Sequence, residues 1–159
     1  MAAKQSAGLL LYRWGDEGLE VLLAHPGGPF WAKKDHGAWS IPKGEFMEDE
    51  DPLAAARREF AEEIGTRVEG EALALTPVQQ PSRKVVHAFA IEYDLNVDRI
   101  TSNTFELEWP PKSGKKLAVP EVDRAAWFPL PEARRRIQKG QLPILEELFR
   151  RVGRPVSET

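Results

Sequence analysis

The chain has 159 residues, enough for one domain with a real core, and its 42% hydrophobic and 30% charged content is that of a folded globular chain rather than a disordered one. A formal net charge of −3 argues against a general nucleic-acid binder, which carries a basic face. The absence of cysteine excludes a disulfide partner, thiolate chemistry and Cys-based zinc sites.

The opening stretch MAAKQSAGLLLYRW holds too short an apolar run for a signal peptide or a spanning helix. A cytoplasmic location with no membrane contact is the expectation. SAGLLLYRW (6–14) and GLEVLLAHP (18–26) are apolar runs flanking GDEG, which predicts two strands joined by a tight turn. Residues 27–45 are rich in Gly, Pro and aromatics and lack a period. They predict a long ordered loop with a short strand at AWSI (38–41).

A helix follows over 51–64. Asp51 suits its cap, Pro52 its first position and Gly65 its end. Leu53, Ala56, Phe60 and Ile64 recur at three- and four-residue intervals and make one apolar face. EALALTPVQQ (71–80) and KVVHAFAIEYDL (84–95) read as strands, the second apolar on both faces near its start. Residues 96–122 read as a second long irregular segment. RAAWFPL (124–130) reads as a short strand, and 131–137 and 143–152 as helices with proline near their starts. Residues 153–159 read as a flexible tail. One domain over 1–159, with a mixed sheet and helices on both faces, follows from this order.

His25, His36 and His87 share no metal-ligand spacing and are expected to pack or hydrogen-bond. The acidic residues of the helix are more informative. At about 100° per residue, Glu63 lies about 40° to one side of Glu59 and Glu62 about 60° to the other. Three carboxylates so placed repel one another by a few tenths of a kcal/mol per exposed pair. An ordinary solvated face is one reading. Against it, no lysine stands one turn away to neutralise the cluster, and a glycine-containing loop precedes it. Carboxylates with few counter-charges suit hard divalent cations, above all Mg²⁺, which bridges to substrate phosphates.

The same stretch resembles the Nudix box, the signature of the Nudix hydrolases. That signature reads Gly, five residues, Glu, seven residues, Arg-Glu, an apolar residue, any residue, Glu-Glu, any residue, Gly and a final apolar residue. Gly44, Glu50, Arg58, Glu59, Phe60, Glu62, Glu63 and Gly65 match it, and Thr66 departs at the last position. The resemblance implies an α/β fold of the Nudix type, an α/β/α sandwich with a mixed β-sheet. It also implies cleavage of a nucleoside diphosphate linked to another moiety, by water attack on phosphorus with Mg²⁺ or Mn²⁺. Glu59, Glu62 and Glu63 then correspond to the metal-binding carboxylates, one of them a general base. The Gly44 carbonyl joins the metal shell in relatives. Arg58 corresponds to the residue that orients a glutamate, and Glu50 to a structural acid near the helix start. A remote glutamate before the last strand often completes the shell. Glu121 matches that placement best, with Glu106 and Glu108 as competitors.

Pro42, Lys43 and Gly44 resemble the box start of relatives acting on diadenosine polyphosphates or diphosphoinositol polyphosphates. Lys43 is a candidate phosphate contact, against a solvated loop lysine. Arg83 and Lys84 meet an anionic substrate or merely open a strand. Phe30, Trp31, Trp39, Phe105 and Trp109 are aromatics able to stack an adenine, with Trp31 and Trp109 foremost because each sits beside lysines in an irregular segment and Trp39 better suited to the core. A diadenosine polyphosphate is the first choice of substrate, ahead of ADP-ribose and an RNA 5′ end. A binding module without catalysis is the alternative of another class, and retention of every box glutamate argues against it.

Overall fold

The computed structural model describes residues 4–16, 18–98 and 100–153. All but the first residue of the expected tail lies outside the described residues. β1 (Gln5–Gly15) and β2 (Gly18–Pro26) form the expected antiparallel hairpin, with their register ending at Gly15↔Gly18. β1 also pairs in parallel with β6 (Val85–Glu92), from Gln5↔Val85 to Tyr12↔Glu92. With both edges paired and both faces covered, β1 carries the run Leu9, Leu10, Leu11 with no polar alternation.

β6 fills one edge of β1, so β2 and the short β3 (Lys43–Glu45) share the other. β2 takes Tyr12–Gly15, and β3 takes Ser6–Gly8. The two therefore part company along that edge, and the gap between them opens a cleft. β9 (Val122–Pro129) flanks β2, and β4 (Leu73–Ala74) and β5 (Val78–Gln79) flank β6.

The two-residue period of β1 sorts its leucines between two cores. Leu9 and Leu11 join Leu22, Ala56, Phe60 and Ile64 beneath α1 (Pro52–Ile64). Leu10 joins Leu23, Ala133, Ile144 and Leu148 beneath α2 (Leu130–Arg136) and α3 (Leu142–Val152). The result is the anticipated three-layer sandwich. α1 begins as expected: the Asp51 side chain accepts from the Ala54 amide at 3.0 Å, a cap worth about 1 kcal/mol. Gly65 ends it in the left-handed conformation at φ 91°.

Three expectations need correction. The single strand over 71–80 is two, β4 and β5. Pro77 has no amide to donate, and the Thr76 amide turns away to the Glu147 carboxylate at 2.7 Å. The strand at AWSI reduces to isolated bridges, Ala24↔Ser40 and Trp39↔Ile137. The irregular segment over 96–122 holds a two-stranded hairpin, β7 (Thr104–Glu108) and β8 (Lys116–Pro120). Its alternation of Phe105 and Leu107 opposite Val119 and Leu117 was masked by the prolines and lysines of its turn. Among the described residues no helix is long and apolar enough to cross a membrane.

Candidate active site

The cleft between β2 and β3 is closed from below by α1. β3 crosses the helix so tightly that a β-carbon on Gly44 would lie 2.1 Å from the Glu59 carboxyl carbon. A side chain there would have to displace the Glu59 carboxylate, and without one backbone and carboxylate meet directly. Glu59 and Glu63, one turn apart, are both buried, whereas the Glu62 side chain is about two-fifths exposed.

Arg58 organises the cluster. Its Nε and Nη2 donate to the two oxygens of Glu50, at 3.0 and 3.2 Å, and its Nη1 donates to Glu59 at 2.9 Å. A weaker contact to Glu62 measures 3.4 Å. The hydrogen bonds to Glu50 are the main reason the guanidinium holds its proton more firmly than usual. Burial pushes the Glu59 carboxyl above its ordinary range, while Arg58 pulls the other way.

Glu63 is the most perturbed group. Burial, then the charges of Glu121 and Glu59, push its carboxyl up to about 9. Its Oε2 is buried with no hydrogen-bond partner. A buried carboxylate oxygen without a donor costs a large desolvation penalty unless something positive meets it. Burial lowers the Lys43 ammonium, with Lys84 adding to the effect and Glu63 opposing it. A cavity of about 200 Å³ joins these groups, bounded by Lys43, Glu63, Glu121, Ser40 and Gln138.

Glu121 reaches the cluster through Asn103. The Asn103 amide donates to the Glu62 carbonyl at 2.8 Å, and its own carbonyl accepts from the Glu121 amide at 2.9 Å. Its side-chain nitrogen donates to Glu121 Oε1 at 3.3 Å. The segment can lie this close to α1 because Gly65 has no β-carbon, which would come within 3.0 Å of Thr101.

Among the described residues no three His, Asp or Glu side chains form an ion-binding cluster by themselves. The donor set is nevertheless all oxygen. It fits a hard cation that completes its shell with backbone oxygen, water and substrate phosphate.

The NUDIX domain profile matches residues 3–148. The chain belongs to the NUDIX family. By class it is a pyrophosphohydrolase. Its fold is similar to the NUDIX domain of Shewanella oneidensis NrtR, solved with ADP ribose, at TM-score 0.67 and 20% identity over 96% of this chain and 90% of that one. It is similar to a mutT/nudix family protein from Listeria innocua at TM-score 0.63 and 17% identity, over 96% and 95% of the two chains. It is likewise similar to the C. elegans Ap4A hydrolase at TM-score 0.60 and 21% identity, over 94% and 98%. At these identities the likeness is one of fold. No curated protein matches the chain in sequence.

In this NUDIX chain the structure brings Lys43, Gly44, Arg58, Glu59, Glu62, Glu63 and Glu121 together. Lys84 stands just behind, paired with Glu45 at 3.3 Å. Trp31 borders a neighbouring cavity that shares Pro26 and Glu121 with the first. Arg83, offered as a substrate contact or a mere strand opening, is not gathered in. It occupies the left-handed position of the exposed turn before β6, at φ 74°, and borders neither cavity. Of the competitors to Glu121, Glu108 is committed elsewhere, accepting from the Lys112 and Gly114 amides in the β7–β8 turn. His25 is structural, buried between the Lys34 carbonyl and the Asp123 carboxylate at 2.6 and 2.9 Å. Sequence reasoning missed Asn103 entirely. A lone asparagine in an irregular stretch carries no signal until its backbone partners are known.

Proposed function

We propose that this chain is a Mg²⁺- or Mn²⁺-dependent hydrolase of a phosphoanhydride bond in a nucleoside diphosphate linked to another moiety, with a diadenosine polyphosphate as the first candidate. One observation carries the reading: Glu63 Oε2, buried without a partner beside Glu59 and Glu121. That arrangement is stable for an anion only if a cation is part of the working site.

Glu59, Glu63, Glu121 and the Gly44 carbonyl would hold the ion, with Glu62 at the margin. When bound, the ion neutralises phosphate charge and makes water a better nucleophile. The chain's own residues do the rest. Arg58 fixes Glu59 through a fork anchored on Glu50. Lys43, with Lys84 behind it, offers positive charge to a phosphate chain in the cleft. A box glutamate not engaged by the ion takes the proton of the attacking water. The new P–O bond forms as the bridging P–O bond breaks, and the leaving phosphate carries away the electron pair. Glu62, exposed and only weakly held by Arg58, has the freedom that proton transfer needs. A cytoplasmic setting, where such nucleotides and Mg²⁺ are plentiful, suits a cysteine-free chain.

The test is a substrate panel with Mg²⁺ and with Mn²⁺: diadenosine tetraphosphate, ADP-ribose, nucleoside triphosphates, diphosphoinositol polyphosphate and RNA with a 5′ triphosphate. Metal-dependent turnover of diadenosine tetraphosphate, abolished by chelation and by Glu63→Gln, is expected. Unchanged turnover in both Glu62→Gln and Glu63→Gln overturns the catalytic assignment.

A further inference from the structure

Next to the carboxylate cleft lies a larger cavity of about 570 Å³, the size of pockets that take nucleotide-sized ligands. Phe30 and Trp31 wall it from the loop after β2, and Phe105 and Leu107 wall it from β7. Pro26 and Glu121 line both cavities, so the two are adjacent.

The walls are built, not incidental. Phe30 and Trp31 meet edge to face at 5.0 Å. The Trp31 amide donates to the Gly28 carbonyl, and the Lys34 amide donates to the Trp31 carbonyl. His25 Nε2 then pins the Lys34 carbonyl at 2.6 Å. At the base, the Gly27 amide donates to the Glu121 carbonyl at 3.0 Å, and a β-carbon on Gly27 would strike the Pro120 carbonyl at 2.0 Å. Loop and hairpin are thus locked together under the cavity. Phe30 and Phe105 nonetheless stay partly open to solvent above it, at 52% and 40% exposure. Bare aromatic faces around a preformed cavity are a recognition surface rather than ordinary surface. Lys34 places its ammonium 3.9 Å from the Phe30 ring centroid, at the same wall.

We propose that this cavity binds the nucleobase of the substrate, clamped between the Phe30–Trp31 loop and the β7–β8 hairpin, with its phosphate chain running past Glu121 into the carboxylate cleft. The proposal rests on the hydrolase reading above and narrows it. A flat ring meets aromatic walls with little desolvation cost. An inositol ring covered with phosphates meets the reverse: apolar walls that cannot solvate its charges. The cavity therefore separates the two substrate groups that the Pro42-Lys43-Gly44 start leaves together, and favours the base-bearing one.

The experiment is calorimetric titration, with Mg²⁺, of α,β-methylene-ATP and of base-free tripolyphosphate into the wild type, Phe30→Ala and Phe105→Ala. Both positions are exposed, and unchanged thermal unfolding confirms that the variants are folded. Removing a stacking partner is expected to weaken the nucleotide about tenfold and leave tripolyphosphate within twofold. Equal nucleotide affinity in wild type and both variants overturns the base site, as does tripolyphosphate binding as tightly as the nucleotide. Failure of the parent reading looks different. Phe105-dependent nucleotide binding without turnover of any panel member leaves the base site standing and removes the hydrolase. Turnover of diphosphoinositol polyphosphate, with no nucleotide binding, leaves the hydrolase and removes the base site.

Discussion

Gly44 and Glu59 touch: the α-carbon of one faces the carboxylate of the other with no room for a methyl group between them. Gly44→Ala must therefore move either β3 or Glu59. Overpacking of this kind costs about 1–3 kcal/mol of stability. Because the displaced group is in the candidate metal shell, turnover should fall by about 10²-fold or more, in line with misplacement of a catalytic group. Steady-state kinetics beside a urea melt check both. A variant with full activity would separate Gly44 from the site.

Asn103 offers a cleaner perturbation. Asn103→Ala keeps the backbone bonds to Glu62 and Glu121 and removes only the side-chain donor to Glu121. Groups that orient metal ligands typically change affinity by about 10–100-fold. Mg²⁺ affinity, followed by activity against free ion, should fall into the lower part of that range. Thermal stability should barely move. A matching loss of stability with unchanged Mg²⁺ dependence would show Asn103 to be scaffold alone.

Glu63 makes a pH prediction. Its folded carboxyl sits at about 9 against an ordinary 4.5, so between those values the native state keeps a proton that the unfolded chain releases. Stability of the metal-free protein therefore declines as pH rises through that window. Glu63→Gln should flatten the decline. Mg²⁺ binding should release protons, because a ligand carboxylate must give up its proton first. Calorimetry in buffers of different ionisation enthalpy would detect that release below pH 9, and its absence there would contradict the raised value.

Phe60 tests the fold apart from the chemistry. It is fully buried between α1 and the sheet. Phe60→Ala should cost about 3–5 kcal/mol, read from the shift in urea midpoint. The loss should be independent of Mg²⁺ if the cavity stays beneath the helix and does not reach Glu59 or Glu63.

Much of this molecule is local, and the local part was legible. Asp51, Pro52 and Gly65 delimit α1 by chemistry within a few residues of themselves, and helical spacing alone puts Glu59, Glu62 and Glu63 on one side. The run Leu9–Leu11 announces a strand buried on both faces. Where partners are distant in sequence, the reading fell short. The β7–β8 hairpin stayed hidden because two short strands of mixed polarity gain meaning only from each other and from the loop they meet. Charge alone left Arg83 between a substrate contact and a strand opening, and its place in the turn before β6 fits the second.

Residue type and spacing from Gly44 through α1 to Gly65 carried the family resemblance, and the helix by itself set the carboxylate cluster, since a helix fixes the relative directions of its own side chains. Tertiary structure alone decided how Glu121 approaches that cluster through Asn103, why Gly44 leaves no space for a side chain beside Glu59, and where an aromatic pocket opens. Those depend on approach between segments far apart in the chain: β3 over α1, Asn103 between Glu62 and Glu121, Phe105 across from Trp31. Such approaches are set by the packing of the whole sandwich, which no short stretch of sequence encodes by itself.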